Sequence, residues 1–229
     1  MSKQIKVALI GNPNTGKTSI FNSLTGLNQK IANYPGVTVE KKEGVCRLSR
    51  GIKAHIFDLP GTYSLNASSM DENLVVELLL NKNHKDFPDL AIIVSDVENL
   101  KRNLILFTQV KDLEIPTVLA INMSDRMKYK GIELNIEKLE KELDTKIILT
   151  TNRSKEWVGD IKNLIENYKE LSSKIFLDTS IIEPEYFNNL KKIFPNQKLY
   201  KLWVVICQDV NFSNVCLLYT SDAADESRG

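Results

Sequence analysis

Residues 11 to 18 read Gly-Asn-Pro-Asn-Thr-Gly-Lys-Thr, a G-x-x-x-x-G-K-T spacing. The chemistry it suits is the cradling of a polyphosphate. Gly11 and Gly16 let the backbone curl so that consecutive N–H groups point inward as an anion nest. Asn12, Pro13, Asn14 and Thr15 form the loop between them, and Ser19 opens a helix whose positive end faces the same anion. Lys17 has the length to reach β- and γ-phosphates, and the Thr18 hydroxyl is placed to ligate Mg²⁺.

A phosphate loop alone does not choose the base. Asn122-Met123-Ser124-Asp125 lies roughly a hundred residues further on and resembles the N-x-x-D guanine-recognition motif of Ras-like GTPases. An aspartate there accepts guanine N1–H and N2–H together, whereas adenine offers no such donor pair at that edge. Asp58-Leu59-Pro60-Gly61 resembles the D-x-x-G element of the same superfamily. Asp58 is then expected to hold Mg²⁺, through a water, and the Gly61 N–H to sense the γ-phosphate. Thr38, within Asn33-Tyr34-Pro35-Gly36-Val37-Thr38-Val39-Glu40, offers a hydroxyl that completes the Mg²⁺ shell only beside a γ-phosphate. Thr150-Thr151-Asn152-Arg153 occupies the place of the superfamily's Ser-Ala-Lys, where a backbone N–H contacts the base. Asn152 departs from the small alanine, which puts base affinity in question.

The elements that must position these groups alternate along the chain. Ile5, Val7, Leu9 and Ile10 predict a strand before the phosphate loop, and Ser19 to Leu24 a helix behind it. Val37 to Leu48 and Ile52 to Phe57 read as two strands joined by a turn at Ser49-Arg50-Gly51. Helices are expected at Asp71 to Leu80, Leu100 to Leu113, Ile136 to Leu143 and Val158 to Leu171. Strands are expected at Leu90 to Val94, Pro116 to Ile121 and Lys146 to Leu149. This alternation predicts an α/β fold, a mostly parallel sheet flanked by helices. The boundaries expected are a nucleotide-binding domain over 1–170, a small partial helical domain over 171–212, and a non-native or disordered tail over 213–229.

Composition narrows the classes. The 229 residues are 42% hydrophobic and 26% charged, as in ordinary globular proteins, and no apolar run reaches membrane-spanning length. A formal net charge of +1 argues against a nucleic-acid binder driven by a basic surface. Three scattered cysteines, without a C-x-x-C pair, indicate neither a zinc site nor a disulfide framework. No leader is expected before the first strand. His55 is read as structural and His84 as solvated, Cys207 as packed, and Glu137 to Glu142 as a solvated face with i,i+4 pairing.

Taken with their flanks, these motifs resemble the N-terminal cytosolic portion of the ferrous-iron transport protein B family. The likeness runs over roughly residues 3 to 210 and includes Asp-Leu-Pro-Gly-Thr-Tyr-Ser-Leu and Asn99-Leu100-Lys101-Arg102-Asn103-Leu104. It implies a domain binding GTP and GDP with Mg²⁺, a helical domain, and a polytopic membrane domain carrying Fe²⁺ that lies beyond this chain. It also implies a place at the cytoplasmic face of a bacterial inner membrane and small accessory transport partners, and leaves self-association open. The family's turnover is associated with K⁺, held partly by an asparagine that Asn14 matches. Thr62 stands where many GTPases place a water-orienting glutamine, so hydrolysis is expected to be slow. Catalysis is assigned to Lys17, Asn14, Thr38 and Gly61. The alternative on the same scaffold is a free GTPase of ribosome assembly or tRNA modification.

Overall fold

The computed structural model describes residues 4–26, 29–34 and 39–207. A seven-stranded sheet forms its middle layer. The strands are β1 (Gln4–Gly11), β2 (Gln29–Asn33), β3 (Glu40–Arg47), β4 (Lys53–Asp58), β5 (Leu90–Asp96), β6 (Thr117–Asn122) and β7 (Lys146–Leu149). They lie in the order β2-β3-β4-β1-β5-β6-β7. The five strands from β4 to β7 run parallel, and β2 and β3 add an antiparallel edge. The fold class read from the alternation is the one observed.

Burial explains the strand types. In β5 and β6 nearly every residue is buried, as a parallel strand covered on both faces requires. Helices α1 (Lys17–Thr25) and α6 (Trp157–Glu166) cover one face, where Ile20, Phe21, Ile161 and Ile165 meet Val7, Leu9 and Ile92. Helices α2 (Met70–Leu80), α3 (Leu100–Asp112) and α5 (Ile136–Leu143) cover the other, through Val75, Val76, Leu106, Phe107 and Leu143. A short α4 (Met127–Lys130) follows the base motif.

The turn between antiparallel β3 and β4 falls at Ser49–Gly51 as expected, as a single 3₁₀ turn. Two details depart from expectation. β2 lies in a stretch not expected to be a strand, because Gln-Lys-Ile-Ala-Asn lacks alternation and takes its conformation from pairing with β3. The predicted helix from Val158 to Leu171 stops at Glu166, and a separate 3₁₀ turn takes Tyr168–Glu170.

Beyond residue 171 come α7 (Pro184–Ile193) and α8 (Leu199–Cys207). Val204 of α8 joins the apolar cluster of α2 and α3. No helix among the described residues is long and apolar enough to cross a membrane. The tail over 213–229 lies outside them.

Candidate functional site

The site is built where β1 ends and α1 begins. Asn14 (φ 64°) and Gly16 (φ 87°) take left-handed backbone there, which turns the loop back over the start of α1. Gly11 is fixed by crowding, since a Cβ on it would lie 2.3 Å from the Val94 carbonyl oxygen of β5. A Cβ on Gly16 would lie 2.2 Å from Asn122 Nδ2. That amide donates to the Thr15 carbonyl at 2.9 Å, and Asn122 Oδ1 accepts from the Thr150 hydroxyl at 3.1 Å. Asn122 thus joins the phosphate loop to the base-side loops from behind.

Lys17 is buried, and its Nζ donates to the carbonyls of Gly11 (3.1 Å) and Asn12 (3.4 Å). Burial pushes its pKa down, and Asp58 opposes that. The Thr18 hydroxyl donates to Asp58 Oδ2 at 2.9 Å. Burial pushes the Asp58 carboxyl up against the hydrogen bond from Thr18 and the charges of Lys17 and Lys42. Asp58 Oδ1 is buried with no hydrogen-bond partner among the described residues. A hydroxyl and an orphaned carboxylate oxygen, both hard donors, fit Mg²⁺. Lys17, Thr18, Asp58 and Gly61 line one cavity of about 300 Å³. Thr38 lies outside the described residues.

The segment after Asp58 is docked on the phosphate loop. Leu59 N–H donates to Leu9 O and Thr62 N–H to Gly11 O, each at 3.2 Å. Gly61 lies so close to Pro13 that an added Cβ would sit 3.0 to 3.1 Å from its ring and backbone. Thr62 is fully buried, its hydroxyl donating to Ser64 O at 2.8 Å and reaching Glu72 Oε1 at 3.3 Å. It therefore faces the protein, away from the loop mouth.

Glu72, an acidic residue expected only to favour the start of α2, also binds the loop before it. Its carboxylate also accepts from Tyr63 N–H, Ser68 N–H and the Ser68 hydroxyl, gathering the loop into a knot. The signal was present: Ser69-Met70-Asp71-Glu72 has capping-box spacing, and Ser69 does cap α2. Glu72 reaches one residue further back than that motif requires.

On the base side, Met123 (φ 61°) turns the chain out of β6 into a 3₁₀ turn carrying Asp125. Asp125 Oδ1 accepts from the Thr151 hydroxyl at 2.9 Å, and Oδ2 pairs with Arg153 Nε at 3.0 Å. Asn152 is exposed beside them. Trp157, not singled out in the sequence, donates its indole N–H to the carbonyls of Thr151 (2.9 Å) and Ser154 (2.8 Å). A buried indole has only that donor and needs an acceptor, which is what pins this loop.

Bland residues account for the remaining corrections. His84 is half-buried, with Nδ1 accepting from Asp86 N–H, so it is a turn residue rather than a solvated one. Cys207 is exposed, because α8 buries Leu202 and Val204 instead. Glu140 turns from its own helix to pair with Lys146 and cap Ile147 N–H, and no Glu137–Lys141 pair occurs among the described residues. Half-buried His55 belongs to β4, and no cluster of three or more His, Cys, Asp or Glu side chains that could hold a metal occurs among the described residues.

Known proteins resemble this arrangement. The family described as "Ferrous iron transport protein B" matches residues 5–165. The Fe(2+) transporter FeoB of Leptospira biflexa is 40% identical over 171 residues, 73% of this chain and 24% of that protein. The Staphylococcus aureus (strain MSSA476) Fe(2+) transporter FeoB is 42% identical over 165 residues, 70% of this chain and 24% of that protein. The chain therefore spans about a quarter of their length. Among solved structures, the cytosolic domain of the T. maritima FeoB iron transporter in apo form has a TM-score of 0.80 at 33% identity, covering 94% of this chain and 86% of that one. Its GDP form I also gives 0.80 at 33% identity, covering 95% and 86%.

Proposed function

This chain belongs to the ferrous iron transport protein B family, and from that premise we propose that it binds GTP and hydrolyses it slowly, regulating an Fe²⁺-transporting membrane protein. The observation that carries this is the bracing of two loops by one residue. Asn122 ties the phosphate loop, with Lys17 and Thr18, to the base side, with Asp125 and Thr151. Triphosphate recognition and guanine recognition are thereby held at a fixed separation. Family membership does not favour a free ribosome-assembly or tRNA-modifying GTPase.

In the mechanism proposed, a water oxygen attacks the γ-phosphorus in line with the bridging oxygen to the β-phosphate. The new P–O bond forms as the bridging bond breaks, GDP leaves with that electron pair, and the water's proton passes to phosphate or solvent. Stabilisation is mostly electrostatic. The Lys17 ammonium, held at the Gly11 and Asn12 carbonyls, would turn to the β- and γ-oxygens, and the Gly61 N–H would meet the γ-phosphate. Thr18 and Asp58 would hold Mg²⁺, with Thr38 completing the set when GTP is present. There Mg²⁺ supplies positive charge against the phosphate oxygens. Asn14, exposed on the lip of the loop, would help hold K⁺. The remaining contacts to nucleotide would come from Gly11, Asn12, Pro13, Thr15, Gly16, Ser19, Met123 and Asn152, while Arg153, expected at the same edge, is paired with Asp125 itself. An inward-turned Thr62 orients no water, which supports a slow intrinsic rate.

The proposal extends to the whole protein. A transmembrane iron-permeation portion would continue from this chain and place it at the cytoplasmic face of a bacterial inner membrane. The test is steady-state GTP hydrolysis by the chain in K⁺ against Na⁺ buffers, for wild type and Asn14→Ala. K⁺ stimulation abolished by the substitution is the expected result. GTP binding with turnover indifferent to K⁺ would overturn the cation-assisted mechanism, and no binding of guanine nucleotide would overturn the function.

A further inference from the structure

We propose that Arg153 is an internal competitor for the guanine site, its guanidinium occupying the carboxylate oxygen of Asp125 that the base must reach. The proposal rests on the guanine-binding function above and goes beyond it. Asp125 has two oxygens. Thr151 takes Oδ1 with a hydroxyl at 2.9 Å, a small donor held from its own loop by Trp157. Arg153 Nε stands 3.0 Å from Oδ2.

The chemistry of the two ligands is alike. Guanine presents its N1–H and the N–H of its 2-amino group side by side, on nitrogens sharing one carbon. A guanidinium presents the same pattern, and it is the side chain best matched to a carboxylate. Arg153 reaches Oδ2 through Nε, and the base, which needs both carboxylate oxygens, must therefore meet it at that atom. The Arg153 side chain is 69% exposed and that of Asp125 24%, so the pair sits at the mouth of the site and opens without disturbing the core. Base binding must break or share it, which lowers affinity and speeds release of GDP.

An exposed ion pair contributes at most about 1 kcal/mol, so the effect is modest and measurable, about two- to fivefold. The experiment follows dissociation of N-methylanthraniloyl-GDP from the full chain by stopped flow. Arg153→Ala is expected to slow release about two- to fivefold and tighten equilibrium binding by the same factor. Arg153→Lys keeps the charge but replaces the planar guanidinium by a compact, strongly hydrated ammonium, so it is expected to fall between Arg153→Ala and wild type. Unchanged or faster release in Arg153→Ala would overturn the proposal and make Arg153 a brace of the site. Failure of the wild-type chain to bind the labelled GDP would instead strike the guanine-nucleotide function itself.

Discussion

At Gly16 the backbone stands at φ 87° with the Asn122 amide where a side chain would begin. Gly16→Ala meets two penalties together, a left-handed conformation and the displacement of the bond from Asn122 to Thr15. It is expected to cost about 2 to 4 kcal/mol in urea unfolding, with loss of labelled-GDP binding in the same preparation. Asp125 carries a different expectation. An asparagine there offers an N–H to the C2 carbonyl of xanthine and withdraws an acceptor from the guanine 2-amino group. Asp125→Asn should invert the preference between GDP and XDP by about tenfold or more in competition binding. An unaltered preference would mean that base recognition lies elsewhere.

The loop from Asp58 to α2 behaves as one element because Glu72 gathers it. Burial pushes the Glu72 carboxyl up, but the hydrogen bonds from Ser68, Tyr63 and Thr62 more than reverse this and leave it below its ordinary value. The folded state therefore holds the ionised form more tightly than the unfolded chain does. The stability so contributed is present above the ordinary carboxylate range and lost as pH falls through the lowered value. Glu72→Gln is expected to destabilise the protein by about 1 to 2 kcal/mol at neutral pH, read from denaturant midpoints. The gap to wild type should close as the pH drops below the carboxylate range. A gap independent of pH would assign the effect to packing. The same knot keeps the Thr62 hydroxyl turned inward, toward Ser64 and Glu72, so the slow hydrolysis proposed belongs to the element as much as to the residue.

Across the molecule, the C-terminal end of α3 is where the nucleotide-binding layers meet the later helices. Asp112 Oδ1 accepts from Phe176 N–H (2.6 Å) and Leu177 N–H (3.0 Å), and Glu114 pairs with Lys198 just before α8. Further back on α3, Gln109 accepts from Leu65 N–H at 2.8 Å and also bonds the Tyr200 side chain of α8. One helix therefore touches both the loop after Asp58 and the helical appendage. Asp112→Ala removes the acceptor for two amides. Hydrogen exchange at Phe176 and Leu177 is expected to accelerate by roughly tenfold or more while the amides of β1 and β5 stay protected. Acceleration throughout the sheet would mean that the contact stabilises the whole fold rather than the junction.

Lys17, Thr18, Asp58 and Asp125 could be singled out from the chain alone, because the chemistry proposed for them needs fixed residue types at short spacing after a strand. The alternation of buried strands with amphipathic helices carried the fold class for a similar reason, since apolar period depends on near neighbours. Other features depend on groups distant in sequence. Asn122 meets Thr15 across 107 residues, and Thr151 meets Asp125 across 26. Glu72 turns back onto Thr62, Arg153 reaches the Asp125 carboxylate, and β2 becomes a strand only against β3. A sequence states which donors and acceptors exist. Which of them are paired is settled when folding excludes water and each buried polar group must find a partner within reach.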